Sequence, residues 1–217
     1  MRSNPIQSSS RRPHVTIIDS GRANIASVSA ALRRAGAYPV IAMNAEDLRK
    51  AEFLVLPGVG SFAAAMHSWT QRDLVAPIRA RILEGVPTLA ICLGMQLLCN
   101  ASEESGGVEG LQIIDCDVRS FTNEVRIPHL GWNNVEVSTA EFSTNAIVKN
   151  GFAYFAHSFR LIDAPRDAKV GITYYNRPFI ASIELRNILA CQFHPELSGR
   201  WGSELIKNWL YQKETLC

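Results

Sequence analysis

Between residues 15 and 91 the chain alternates short apolar strands with helical patterns, and this alternation narrows the available folds more than any other feature. Residues 15–19, 38–42, 53–56 and 88–91 are runs rich in strand formers. Buried strands of a parallel sheet read this way, and the helical stretches between them are the crossovers that parallel strands require. Asn24 caps a helix running to Arg34, which Gly36 closes. Further helices are expected over about 61–68 and 72–84, with Gly85-Val86-Pro87 as a turn. After Leu111 short strands dominate, at 111–115, 117–121, 135–137, 153–155, 170–174, 179–184 and 188–193. Asn176-Arg177-Pro178 and Arg186-Asn187 are read as tight turns, and 203–213 as an amphipathic helix. No linker or repeat interrupts residues 15–213. The expected architecture is α/β: three layers around a mostly parallel central sheet, with antiparallel strands added in the C-terminal half.

The composition excludes several function classes. At 217 residues, 47% hydrophobic and 19% charged, the chain can build a full core without a disulfide or metal staple. A net charge of +2 without a basic stripe gives nucleic acid no footprint. Five cysteines (Cys92, Cys99, Cys116, Cys191, Cys217) are an odd number and contain no CxxC pair. That argues against a secreted disulfide framework or a zinc site and fits a reducing, cytoplasmic setting. No apolar run reaches the ~18 residues of a membrane span. Residues 1–13 are rich in Ser and Arg and lack an apolar h-region, so they are read as a disordered leader before a single domain at 14–217.

Thr88-Leu89-Ala90-Ile91-Cys92-Leu93-Gly94-Met95-Gln96 has the form of a nucleophile elbow: a strand, a sharp reversal carrying Cys92, then a helix. A helix N-terminus offers N–H groups and partial positive charge, both of which favour a thiolate. A cysteine nucleophile also needs a base and an oxyanion hole. His194, in Cys191-Gln192-Phe193-His194-Pro195-Glu196, emerges from a strand end, where α/β sites form. Pro195 favours an extended chain at His194, and side chains two apart on an extended chain share a face, so Glu196 is expected to orient His194. Pro57-Gly58-Val59-Gly60 follows a strand and opens a helix; the N–H of Val59 or Gly60, with that of Leu93, could form the oxyanion hole.

These pieces, in this order, resemble the class I triad glutamine amidotransferases. Asn24-Ile25-Ala26-Ser27-Val28, Ser61-Phe62, Ile127-Pro128-His129-Leu130-Gly131-Trp132-Asn133 and Tyr154-Phe155-Ala156-His157-Ser158 are similar to the glutaminase subunits of imidazole glycerol phosphate synthases. The resemblance implies a flavodoxin-like fold, a Cys92–His194–Glu196 triad, and hydrolysis of glutamine to glutamate and ammonia without cofactor or metal. It implies a separate (β/α)₈ cyclase partner that receives the ammonia, since 217 residues leave no room for a ~250-residue barrel. By position in the family pattern, glutamine is expected near Gly60, Gln96, Glu104 and Ser158, and the partner near His129, Trp132 and Leu197. His157 is a rival base whose setting suits a pocket wall better, and a buried Trp132 is the alternative to an interface anchor.

Some positions depart from the pattern. Ala90 stands where the elbow often has Gly, Ser20 and Ala23 replace Tyr and Gly, Phe159 replaces Tyr, and Leu197 replaces Lys after His194-Pro195-Glu196. The last removes an expected cross-subunit ion pair. The alternative functions are a sister glutaminase serving anthranilate, pyridoxal phosphate or guanylate synthesis, and a non-catalytic subunit of the same fold.

Overall fold

A computed structural model describes residues 12–20, 24–121, 125–137 and 146–211. The leader reading falls almost wholly on residues 1–11, and Ala23 and Cys217 likewise lie outside the described residues. In chain order the strands are β1 (His14–Ile18), β2 (Tyr38–Ala42), β3 (Phe53–Leu56), β4 (Thr88–Ile91), β5 (Ala101–Ser102), β6 (Asp117–Ser120), β7 (His129–Val137), β8 (Gly151–His157), β9 (Phe159–Arg160), β10 (Lys169–Tyr175), β11 (Arg177–Leu185) and β12 (Ile188–Cys191). The helices are α1 (Ile25–Arg34), α2 (Ala45–Arg49), α3 (Phe62–Gln71), α4 (Val75–Leu83), α5 (Leu93–Leu97) and α6 (Gly199–Tyr211).

Nine strands form one sheet in the order β2-β1-β3-β4-β12-β11-β10-β7-β8. It is parallel from β2 to β12 and antiparallel from there to β8. Both faces are covered at β1, β3, β4 and β12, which is why these strands read as apolar runs, whereas β2 at the edge is largely exposed. Phe53 and Val55 point into the core under α1 and α6, with Leu32, Leu205 and Trp209. Leu54 and Leu56 point into the opposite core, with Phe62, Trp69 and Ile78 of α3 and α4. Three layers follow from this alternation within a single strand.

The crossing to β12 positions the site. β12 pairs with β4 in parallel, Leu189 opposite Leu89 and Cys191 opposite Ile91. Two strands in register end side by side, so the residues that follow each leave the sheet at the same edge.

The expected strand at 111–115 does not form. Gln112 has φ +50, and the N–H groups of Leu111, Ile113 and Ile114 bond the carbonyls of Leu97 and Leu98 at 2.7–2.9 Å. These are the carbonyls that a helix C-terminus leaves without partners, and capping α5 competes successfully with sheet pairing. β7 starts at His129 rather than Val135, and α6 starts at Gly199 rather than Ser203. The last strand ends at Cys191, before Phe193. No helix among the described residues is long and apolar enough to cross a membrane.

Candidate active site

Cys92 follows β4 with φ +53 and ψ −107, a conformation that an L-residue adopts only under strain of about 1–3 kcal/mol. Two features hold it there. The Cys92 N–H donates to the Cys191 carbonyl at 2.7 Å, extending the β4–β12 pairing by one bond. On the other side α5 lies so close to β3 that a Cβ on Gly94 would fall 1.8 Å from the Leu56 carbonyl oxygen. Ala90 lies inside β4 and takes no positive φ, so the departure from Gly costs nothing.

His194 leaves the end of the neighbouring strand, and its N–H donates to the Tyr154 carbonyl at 2.9 Å. Its Nδ1 lies 2.9 Å from Glu196 Oε1, with both side chains nearly buried. The reason differs from the sequence reading. Only His194 is extended; residues Pro195–Leu197 form a single 3-10 turn, and this turn brings the carboxylate back over the ring. Burial alone would lower the His194 pKa. Hydrogen bonding to the Cys92 sulfur and to Glu196, and the negative charge of both, outweigh burial and hold it at about 10. Sulfur, imidazole and carboxylate are thus in series.

Beside Cys92 lies a cavity of about 230 Å³. Val59, Gly60, Leu93, Gln96, Glu104 and Ser158, the expected oxyanion-hole and substrate residues, all line it. Gly60 has φ +104, which glycine accepts without penalty. Glu104 accepts the Phe62 N–H at 2.8 Å, at the N-terminus of α3. Its neighbour Glu103 pairs instead with Arg119 and Ser120 at the surface. Gln96 donates its Nε2 protons to the Phe159 carbonyl at 3.1 Å and to Gln192 Oε1 at 3.0 Å. Gln192 was not singled out from the sequence, although its place two residues before His194 was a visible signal.

His157 lines the same cavity. Its Nδ1 donates to the Phe159 carbonyl at 2.8 Å, so its Nε2 accepts from His129 Nδ1 at 3.0 Å. Both nitrogens are engaged, and burial drives its pKa down to about 3. It is wall, and has no lone pair left for a substrate proton.

The three residues expected at a partner surface separate. His129 is 3% exposed, stacked on Phe155 and Tyr175, with its pKa lowered by burial to about 4. It is a core residue, since alternation along β7 turns it inward, and it presents almost no surface of its own to the expected partner. The same alternation turns Leu130 and Trp132 outward, and Trp132 is 57% exposed, so the buried alternative does not hold. Leu197 is 41% exposed.

The family described as glutamine amidotransferase class-I matches residues 16–213. The imidazole glycerol phosphate synthase subunit HisH of Yersinia pseudotuberculosis is 39% identical over 197 residues, covering 90% of this chain and 98% of that protein. HisH of Moorella thermoacetica is 40% identical over 196 residues, covering 90% and 93%. A solved glutamine amidotransferase superposes with TM-score 0.73 at 16% identity, covering 93% of this chain and 99% of its own. The PurLQS structure from Thermotoga maritima gives 0.71 at 16%, covering 94% and 100%. At those identities the two structures speak for the fold alone.

Proposed function

The chain belongs to the class-I glutamine amidotransferase family, and from that premise we propose that it is the glutaminase subunit of an imidazole glycerol phosphate synthase, acting in histidine biosynthesis. One observation carries the chemistry: the in-register exits of β4 and β12 bring Cys92 and His194 together beside a cavity, with Glu196 behind the imidazole.

The mechanism follows from these groups. His194 holds the proton given up by the thiol, and the thiolate attacks the side-chain carbonyl carbon of glutamine. The N–H groups of Leu93 and of Val59 or Gly60 stabilise the oxyanion, each such donor being worth ~10²–10³ in rate. The imidazolium returns its proton to the leaving nitrogen as the C–N bond breaks, releasing ammonia and leaving a glutamyl thioester. Water, deprotonated by the same imidazole, cleaves the thioester to glutamate and regenerates the thiol. Glu196 keeps the neutral imidazole in one tautomer and orientation and stabilises the imidazolium. Gly60, Gln96, Glu104 and Ser158 hold the substrate, with Gln96 offering its oxygen, since both protons on its amide nitrogen are committed.

The relatives are named as subunits of a synthase, which supports a partner. The partner we propose is a (β/α)₈ cyclase. Ammonia is protonated in bulk water, so the product must pass directly to an enclosed acceptor site, where it yields imidazole glycerol phosphate and aminoimidazole carboxamide ribotide. The face that receives it carries Trp132 and Leu197, next to His194.

Cys92→Ala tests the reading. In the complex, glutamine-dependent synthesis is expected to vanish while synthesis from added ammonia persists. Full glutamine-dependent activity in this variant would remove Cys92 from the chemistry.

A further inference from the structure

Gln192 has no part in the chemistry above, yet it is fully buried and touches the nucleophile. A carbonyl fixes the sense of its amide. The Phe159 carbonyl can only accept, so the Gln96 amide nitrogen must face it, at 3.1 Å. The second proton on that nitrogen points to Gln192, 3.0 Å away, which must answer with its oxygen. Gln192 is then left with Nε2 turned toward Cys92 Sγ, at 3.7 Å. The thiol has a separate outlet for its own proton, the Ala156 carbonyl, also at 3.7 Å. Besides the His194 imidazole, which pairs with it in the triad, the sulfur is therefore flanked by an acceptor suited to S–H and a donor suited to S⁻. Hydrogen bonds to an ionised partner are about twice as strong as neutral ones, so the donor favours the thiolate more than the acceptor favours the thiol.

We propose that Gln192 is a positioning residue for the nucleophile: its amide N–H holds the Cys92 thiolate, and its oxygen ties that thiolate to Gln96 in the wall of the substrate cavity. The proposal rests on the reading of Cys92 as nucleophile. Its chemical content is that one amide, clamped at its oxygen end by Gln96, has a single orientation and so presents a fixed donor. A polar side chain that merely satisfies the core would have no bearing on the ionisation of the sulfur.

The test is the pH profile of Cys92 alkylation by iodoacetamide in the full chain, with Cys92→Ala subtracting the other cysteines. Gln192→Met keeps the volume and loses the donor. Its alkylation below the wild-type midpoint is expected to slow about tenfold as the midpoint rises. In the same variant kcat for glutamine should fall about tenfold, with KM changed less than threefold. Gln192→Glu still accepts from Gln96 but lacks the N–H, and is expected to raise the midpoint further. An unchanged midpoint in either folded variant overturns the proposal.

A wild-type measurement stands apart from the folding of the variants. The side-chain ¹⁵N–¹H signals of Gln192 should titrate with the alkylation midpoint and stop titrating in Cys92→Ala. Signals blind to ionisation of the sulfur overturn the proposal too. Failure of the parent reading would show elsewhere, as glutamine turnover surviving in Cys92→Ala.

Discussion

Glu196 presents a carboxylate that is 2% exposed, and its Oε2 has no hydrogen-bond partner among the described residues. A desolvated anion held by one contact is tolerated when the contact carries the opposite charge. Against burial, the Cys92 sulfur first and this carboxylate second raise the His194 pKa to about 10. The sign of its linkage follows. Unfolded, the imidazole titrates near 6.5; folded, it holds its proton to about 10. Its contribution to stability is complete below about pH 6.5 and is lost as pH climbs toward 10. Glu196→Gln removes the charge and turns an N–H toward Nδ1, favouring the tautomer that cannot accept the thiol proton. The His194 midpoint, followed by NMR, is expected to fall below the wild-type value, with kcat for glutamine reduced on the order of 10³. A midpoint that stays at the wild-type value would show that Glu196 does not govern the imidazole. Cys92 and His194 were readable in the sequence because each follows its own strand. Gln192 and the His129–His157 pair were not, because their partners depend on which strands lie next to each other.

The elements show where local pattern suffices and where packing overrides it. β1 to β4 and α1 form close to where their periodicity places them, since burial on both faces leaves one hydrophobic reading for β1, β3 and β4, while β2 at the edge is read from its strand formers. Residues 111–115 have strand composition but serve as the cap of α5, and five residues at α2 give too little periodicity to register in the sequence. α5 itself is a short helix whose place is set by the Gly94–Leu56 contact. Gly94→Ala puts a Cβ against a backbone carbonyl that cannot yield, so α5 must move off β3. We expect a loss of about 1–3 kcal/mol in urea unfolding at unchanged m. A fall in kcat should accompany it, because Cys92 and Gln96 ride on that helix; unaltered stability would show the contact to be slack. The β7–β8 pair carries a second device, since its register sets His129 opposite His157. Both imidazoles are kept neutral by burial, with folded pKa values of about 4 and about 3 against 6.5 unfolded. Below pH 6.5 the unfolded chain therefore binds more protons than the folded one, and stability drops as pH falls, levelling off below about 3. His129→Phe, which keeps the stacking on Phe155 and Tyr175, should flatten the acid limb of the stability–pH curve. An acid limb as steep as the wild type would assign that slope to other groups.

At the scale of the molecule, the two edges of the large sheet differ in what lies beside them. At one edge β2 exposes Tyr38, Val40 and Ile41, far along the sheet from the β4–β12 exits. At the other, β7 and β8 expose Leu130, Trp132 and Phe152 on one face, with Trp132 directly opposite Tyr154. The Tyr154 carbonyl in turn accepts the His194 N–H, so this apolar face is one residue from the base. The sequence separated these two patches poorly, because strand order across nine strands is decided by long-range pairing and not by local pattern. A glutaminase that hands ammonia to another subunit needs its docking face beside the nucleophile, and of these two edges among the described residues the β7–β8 face meets that condition. Trp132→Ala is therefore expected to weaken binding of the proposed cyclase by about 30-fold or more, the loss of a central aromatic anchor. Because Trp132 is 57% exposed, folding stability should change by no more than about 0.5 kcal/mol. Tyr38→Ala, a loss of equally exposed aromatic surface at the far edge, should leave binding unchanged. Titration calorimetry of each variant against the cyclase reads both outcomes. Equal affinities for wild type and Trp132→Ala would move the interface away from this face, and a loss in Tyr38→Ala would place it at β2.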